Sequence, residues 1–231
     1  MPLRVNIGDR WAIIGATGSG KTVLSREILK FYANATKGLV PIYILDTKVQ
    51  GDFKQFEHPS LGRVVRGNKI PDPVTNTKGK PFTIWQPESD DEEMYDKFFE
   101  QIYLKGRNMK SGNPGIIYID EISSVSSPSG RSFPRYWDIL LKQGRGMDIG
   151  LINVTQSPSY IPPNLLRQAT HVVRMHLNGE YDPKKMSSAM GKAANEEPVD
   201  DYGFYYRNQS KPIRKSPVMY YSGFQEFFGL E

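Results

Sequence analysis

The sequence predicts a single α/β domain in which a mostly parallel β-sheet is flanked by helices. Short apolar runs rich in β-branched residues alternate with segments of helical periodicity. Most of these runs end in a polar residue, as buried parallel strands do at the ligand-binding edge of a sheet. The length of 231 residues suits one such domain with one core.

Five apolar runs are the predicted strands, and a sixth segment is a candidate edge strand. The five runs are residues 11–14, 40–45, 116–119, 149–154 and 171–177. Each run is short and consists largely of aliphatic residues, which suits strands that are buried on both faces. Residues 202–207 form the candidate edge strand.

Three segments are predicted to be helices, namely residues 22–32, 89–104 and 133–143. The first carries Leu24, Ile28 and Phe31 at the spacing of one helical face. The second begins with acidic residues, which favour the amino end of a helix. Residues 67–87 are rich in proline and asparagine, so we expect an irregular insertion or a hairpin there.

Composition excludes several classes of site. The chain has no cysteine, which rules out disulfides, thiolate zinc sites and cysteine nucleophiles. His171 and His176 lie in one apolar stretch and are expected to be packing or surface residues rather than metal ligands. The net charge of +5 permits a polyanionic partner without requiring one. No apolar run approaches the roughly 20 residues of a membrane span, and no secretory signal is evident, so we expect a cytoplasmic protein without membrane contact.

The strongest motif is a glycine-rich octet between the first predicted strand and the first predicted helix. It consists of Gly15, Ala16, Thr17, Gly18, Ser19, Gly20, Lys21 and Thr22. The pattern is that of a phosphate-binding P-loop, whose backbone N–H groups and helix amino end surround a phosphate chain. Lys21 would bind the β- and γ-phosphates, and the Thr22 hydroxyl would bind Mg²⁺. The sequence therefore predicts a P-loop NTPase that uses ATP and Mg²⁺.

Two acidic residues, Asp120 and Glu121, directly follow the third predicted strand. Carboxylates at this end of a strand lie at the ligand-binding edge of the sheet. Asp120 is expected to hold Mg²⁺, and Glu121 to act as the general base that orients the attacking water. The pair could instead cap the next turn, but the P-loop upstream favours catalysis. Asp46, at the end of the second strand, could cap a turn or support the metal site.

Two further candidates lie at opposite ends of the fourth predicted strand. Gln156 follows its carboxyl end, next to Thr155, so it could contact the γ-phosphate or the attacking water. Arg145 precedes the strand, between Gly144 and Gly146, and should lie away from the nucleotide of its own chain. It could reach the nucleotide of a neighbouring subunit as an arginine finger, or form a surface salt bridge.

In these motifs the chain resembles the FtsK–HerA superfamily of DNA-pumping ATPases. The resemblance is carried by the P-loop together with residues 45–48, Asp120–Glu121, Gly144–Arg145, Thr155–Gln156 and residues 163–174. It implies a RecA/ASCE-like core over residues 1–178 and a C-terminal extension, residues 179–231, that packs on the core or on a neighbouring subunit. In the family a glycine usually follows the lysine that corresponds to Lys48, whereas Val49 stands here, which leaves the role of Lys48 open.

The resemblance also implies a homo-oligomeric ring, a pentamer or hexamer, with Arg145 acting in trans and double-stranded DNA in the centre. With few residues beyond the core, the chain is most similar to viral and phage genome-packaging ATPases, which act in the host cytoplasm and can dock on a capsid portal. Alternatives are plasmid or chromosome translocation and a nucleotide-gated protein-interaction module. A small-molecule kinase fits less well, because Asp120, Glu121 and Gln156 suit attack by water.

Candidate DNA contacts lie in a basic segment after the acidic helix. Lys105, Arg107 and Lys110 are expected in a flexible loop, where they could contact phosphates without reading bases. The serine-rich residues 123–131 could line a pore in the same way. Both segments could equally be solvent-exposed surface. The tail aromatics Phe224, Phe227 and Phe228 suggest docking onto an unidentified surface.

Overall fold

One nine-stranded sheet runs through the described part of the chain. The computed structural model describes residues 6–48, 51–74, 77–108, 115–126, 132–178, 181–196, 202–208 and 214–216. The strands are β1 (Arg10–Ile14), β2 (Ile42–Leu45), β3 (Gly62–Arg66), β4 (Phe82–Gln86), β5 (Gly115–Ile119), β6 (Ile149–Thr155), β7 (His171–Arg174), β8 (Phe204–Asn208) and β9 (Arg214–Ser216).

The order of strands across the sheet is β3-β4-β2-β5-β6-β1-β7-β8-β9. Strands β1 to β7 pair in parallel, whereas β8 and β9 add antiparallel strands at one side. The parallel strands therefore all end at one edge, which we call the carboxyl edge, and begin at the opposite amino edge. The mostly parallel sheet predicted from the sequence is confirmed.

Helices cover both faces of the sheet. Those in the described residues are α1 (Lys21–Ala35), α2 (Glu92–Asn108), α3 (Arg135–Gln143), α4 (Pro163–Gln168) and α5 (Tyr181–Met190). Helix α1 packs on one face, and α2, α3, α4 and α5 contribute to the core on the other. None of these helices combines the length and the apolar character that crossing a membrane requires.

The central strands are buried on both faces, which explains their continuous apolar sequences. In β1, Trp11 and Ile13 belong to the core beneath α1, whereas Ala12 and Ile14 belong to the core on the opposite face. All five residues of β1 and of β5 are buried. Burial of each large apolar side chain contributes about 1.5–3 kcal/mol before the loss of chain entropy is counted.

The prediction of an irregular segment at residues 67–87 was wrong for its second half. Strand β4 lies there and pairs in parallel with both β2 and β3. Polar Thr83 and Gln86 interrupt its apolar pattern, and both are buried. Gln86 is satisfied because its Nε2 donates to Asp46 Oδ2 at 2.9 Å. Strand β3, at the sheet edge and only partly buried, was also not predicted.

The candidate edge strand at residues 202–207 exists as β8, although it is not at the edge. Strand β9 pairs outside it, so β8 is hydrogen-bonded on both sides. Helix α5 inserts Met186 and Met190 into the core that α2 and α3 also form. The tail aromatics Phe224, Phe227 and Phe228 lie outside the described residues.

Candidate nucleotide-binding site

The P-loop is hydrogen-bonded at the ends of β6 and β7, the strands on either side of β1. Gly15 N donates to Thr155 O at 3.2 Å, and Ala16 N donates to His176 O at 2.7 Å. A Cβ atom on Gly15 would lie 2.6 Å from Ser19 Oγ and 2.7 Å from Met175 Cβ, so only glycine fits. Gly18 and Gly20 have φ values of 81° and 91°, which residues other than glycine rarely adopt. These contacts set the shape of the turn that precedes α1.

Lys21 is buried in the first turn of α1 and points back into the loop. Its Nζ donates to Ala16 O at 2.7 Å. Burial, followed by the charge of Lys48, lowers the pKa of Lys21 to about 8, while Glu121 and Asp120 oppose this shift. An anion within the loop would restore the charged form of the lysine. Thr22, the other predicted ligand here, lies beside Lys21 and is partly buried.

The two acids lie directly after β5 and are held by different partners. Asp120 Oδ1 accepts from the Tyr118 hydroxyl at 3.0 Å, and Glu121 Oε1 accepts from Ser123 Oγ at 2.9 Å. Burial raises the pKa of Asp120, although Lys48 and the Tyr118 hydroxyl oppose the shift. Glu121 Oε2 is buried and accepts no hydrogen bond within the described residues, although the Lys48 ammonium lies 3.8 Å away. That oxygen therefore keeps its capacity to accept a proton.

Lys48 brings a positive charge to this pair. It follows β2, which lies beside β5, and its Nζ is 3.4 Å from Asp120 Oδ2 and 3.8 Å from Glu121 Oε2. The sequence left the role of Lys48 open because Val49 stands where the family usually has a glycine. The contact with the acids depends on the adjacency of β2 and β5. Asp46, from the same strand end, accepts a hydrogen bond from Gln86.

Gln156 meets the P-loop directly. It is exposed at the carboxyl end of β6, and its Oε1 accepts from Thr17 Oγ1 at 3.0 Å. Because β6 lies between β1 and β5, its end stands between the P-loop and the acids. Lys21, Asp120, Glu121 and Gln156 are therefore brought to one edge of the sheet.

The oxygen atoms at this edge fit a magnesium ion. Mg²⁺ is usually held by one or two carboxylates and by substrate phosphates rather than by a complete protein cage. The Asp120 carboxylate and the Thr22 hydroxyl are ligands of this kind. Within the described residues no group of three or more acidic or histidine side chains could hold a metal ion.

The other predicted site residues lie elsewhere. Arg145 is exposed in a 3-10 turn, Gly144–Met147, immediately before β6 and hence at the amino edge. Lys105 and Arg107 are not in a loop as predicted, because α2 continues to Asn108. Lys105 contacts the Val74 carbonyl, and the Arg107 guanidinium lies 5.8 Å from the centre of the Tyr103 ring. Lys110, like most of the serine-rich segment, falls outside the described residues.

No family model and no curated protein sequence matches this chain. Solved structures do match. The genome-packaging NTPase B204 of Sulfolobus turreted icosahedral virus 2, in complex with AMPPCP, is 17% identical with a TM-score of 0.71, covering 93% of this chain and 100% of B204. B204 of Sulfolobus turreted icosahedral virus, a DNA-packaging ATPase, is 18% identical with a TM-score of 0.72, covering 94% and 100%. This chain has the B204 fold.

The B204 fold is shared with a protein that is less similar to this chain. VirB4 of Thermoanaerobacter pseudethanolicus is 10% identical with a TM-score of 0.66, covering 96% of this chain and 94% of VirB4. The resemblance inferred from the motifs is therefore confirmed at the level of the fold. In this chain the B204 fold places the P-loop after β1, between the ends of β6 and β7.

Proposed function

We propose that this chain is an ATP-driven motor that moves double-stranded DNA and packages a viral genome into a procapsid. The observation that carries the ATPase part is the convergence of Lys21, Asp120, Glu121 and Gln156 at one sheet edge. The packaging part is supported by the match over the whole length of B204, a genome-packaging NTPase.

Each residue of the site has a distinct part in this proposal. The P-loop N–H groups and Lys21 bind the phosphate chain, which Lys21 can do once it exchanges its bond with Ala16 O for a phosphate oxygen. Thr22 and Asp120 hold Mg²⁺, which neutralises phosphate charge when bound.

Glu121 uses Oε2, which accepts no hydrogen bond within the described residues, to orient water and accept its proton. Gln156 is hydrogen-bonded to Thr17, and through this bond it transmits a change in the conformation of the P-loop to β6.

The motor is proposed to act as a ring of five or six copies in the host cytoplasm, with a capsid portal as a candidate partner. Arg145 lies at the amino edge, far along β6 from the P-loop of its own chain, and is exposed. It therefore serves the nucleotide of a neighbouring copy. Residues 179–231 are the proposed extension against the core or that neighbour. Lys105, Arg107 and Lys110 are weaker candidates for contacts with DNA phosphates.

A second candidate arises because the fold is not confined to packaging enzymes. The type VII secretion ATPase EccC of Thermomonospora curvata matches with a TM-score of 0.62 at 18% identity, covering 94% of this chain and 26% of EccC. A chain with this fold could therefore use ATP to act on a protein rather than on DNA. Plasmid or chromosome translocation is the corresponding alternative among DNA motors.

Steady-state ATP hydrolysis with and without long duplex DNA, at low and moderate salt, tests the proposal. A DNA motor is expected to be stimulated by DNA, and the stimulation should fade as salt weakens phosphate contacts. Glu121→Gln should bind ATP and lose turnover. Hydrolysis indifferent to DNA would favour the protein-directed alternative, and ATP binding without any Glu121-dependent turnover would reject the ATPase assignment.

A further inference from the structure

A basic pocket lies at the amino edge of the sheet, opposite the P-loop. Its volume is about 590 Å³, and five of its lining residues are cationic. These five are Arg10, Lys142, Arg145, Arg167 and Arg207. None of the lining residues is acidic, the other two being Gln168 and Ala169. This volume is typical of pockets that bind small molecules.

The topology explains why residues distant in sequence meet here. Arg10 begins β1, and Arg145 immediately precedes β6, which pairs with β1. Arg167 lies in the last turn of α4, just before β7. Arg207 is on β8 opposite Val172, and hence beside the start of β7. The parallel strands therefore collect these arginines at their amino ends.

The charges of the pocket are poorly compensated. Arg145 and Arg167 are exposed and form no ion pair or side-chain hydrogen bond within the described residues. Arg207 donates to Leu166 O at 3.3 Å, but its Nε is buried without a partner in the described part of the chain. Among the described contacts, Lys142 is the one member of the five that pairs with a carboxylate, that of Asp138.

Arg10 adds a buried positive charge to the pocket, and burial of this charge costs free energy. It is 3% exposed and, within the described residues, its guanidinium donates only to backbone carbonyls, with Nε 2.6 Å from Leu141 O. Burial and then the charge of Arg145 lower the pKa of Arg10, against the charge of Asp9. The Asp9 carboxylate is already used by His171 Nε2 at 3.1 Å. A bound anion would offset this repulsion and desolvation.

We propose that the pocket is a binding site for a compact polyphosphate anion. Guanidinium groups match phosphate oxygens in geometry and bind them through paired, charge-assisted hydrogen bonds. Several arginines around one concave pocket suit a small ligand of multiple charge, such as pyrophosphate or the phosphate chain of a nucleotide. The inference does not depend on ATP hydrolysis. It does place Arg145 within the pocket, so an occupant would hold the same guanidinium that is proposed to serve a neighbouring copy.

Calorimetric titration with pyrophosphate tests this site in the Lys21→Ala protein, in which the P-loop is disabled. Binding with about one ligand per chain is expected, and Arg167→Gln should weaken it at least about tenfold through the loss of charge-assisted bonds. Arg167 is exposed and has no side-chain hydrogen bond among the described residues, so its replacement should preserve the fold.

Arg66→Gln is the matched control, since Arg66 is an exposed arginine on β3 at the far side of the sheet. It should leave pyrophosphate affinity unchanged. The proposal would be overturned if the Lys21→Ala protein did not bind pyrophosphate. It would also be overturned if Arg66→Gln and Arg167→Gln weakened binding equally, because that result would indicate attraction by net charge alone.

The source of the phosphate can be separated in the same titration. Competition by free ATP with pyrophosphate in monomeric Lys21→Ala protein would indicate a soluble ligand. P-loop-competent chains carrying nucleotide can be added to the same protein. If they displace pyrophosphate only at protein concentrations that form oligomers, the phosphate is carried by a neighbouring copy. A pocket that ignores pyrophosphate but binds a short DNA duplex through Arg167 would contradict a compact ligand.

Discussion

At the scale of single residues, Lys21 links nucleotide binding to proton binding. Its ammonium is buried, donates to Ala16 O, and lies near Lys48 as well as Asp120 and Glu121. The pKa is lowered to about 8 from the ordinary 10.5, so between these values the unliganded chain has released a proton that an unfolded lysine would keep. A phosphate chain favours the ammonium and reverses this release.

Nucleotide binding at pH 9 is therefore expected to take up about one proton. The phosphates themselves are fully ionised at this pH, since the pKa of their final ionisation is about 6. Titration calorimetry in two buffers of different ionisation enthalpy measures the uptake. Lys21→Arg, which stays charged at pH 9, is the control and should show none. Equal heats in both buffers for the unaltered chain would mean that Lys21 is already charged before binding.

The site residues differ in how far sequence could predict them. The spacing of the P-loop and the position of Asp120 and Glu121 after an apolar strand are local patterns, so their meeting at the carboxyl edge followed once the strands were taken as parallel. The contact of Lys48 with both acids depends on β2 lying beside β5, and no local pattern contains that information. The same holds for Arg10, Arg167 and Arg207, which β1, α4 and β8 bring together.

At the scale of elements, the turn from β1 into α1 depends on the absence of a side chain at one position. Gly15 lies between Ser19 and Met175, so the loop packs against the segment that follows β7. The loop therefore contacts the segment after β7 and, through Gln156 and Thr155, the end of β6.

Gly15→Ala is expected to lower the free energy of unfolding by roughly 1–3 kcal/mol, the usual cost of overpacking, and to abolish nucleotide binding. Urea denaturation and a fluorescent-nucleotide titration measure the two effects. Gly146→Ala is the matched control, because a Cβ atom there meets nothing within 4 Å. Its stability should change by less than about 0.5 kcal/mol. A stable Gly15→Ala protein that still binds nucleotide would show that the loop adopts another shape in solution.

Strands were predicted correctly where both faces are buried by apolar residues. They were missed where polar residues and prolines interrupt the apolar run or where the strand is only partly buried. β1, β5 and β6 are buried throughout, and their apolar runs are uninterrupted or nearly so. In β4, Thr83 and Gln86 break the run and prolines flank it, yet both polar residues are buried, and Gln86 is bonded to Asp46. β3 is an edge strand whose residues are only partly buried, so it lacks the signal of a central strand.

At the scale of the whole molecule, the two ends of β6 belong to different proposed sites. Gln156 follows the carboxyl end beside the P-loop of its own chain, while Arg145 precedes the amino end and faces away from it. If a ring forms, each complete catalytic site combines Glu121 of one copy with Arg145 of the next.

Mixing two inactive variants is expected to restore activity in that case. Arg145→Ala and Glu121→Gln chains should each hydrolyse ATP poorly alone. Random assembly of an equimolar mixture would give about one interface in four with both intact residues, and hence up to about a quarter of full activity. ATP hydrolysis and light scattering of the mixture measure activity and assembly. Joint oligomers that remain inactive would exclude Arg145 as a group acting between copies.

The placement of β1 between β6 and β7 has a mechanical consequence. A force applied along the strands loads the hydrogen bonds on both sides of β1 in shear, so many bonds must fail together rather than one after another. The P-loop is thus attached to a strand that is hydrogen-bonded on both sides. If the chain is the motor proposed above, a nucleotide-binding loop fixed between two strands suits that function, because recoil of the loop would dissipate the stroke.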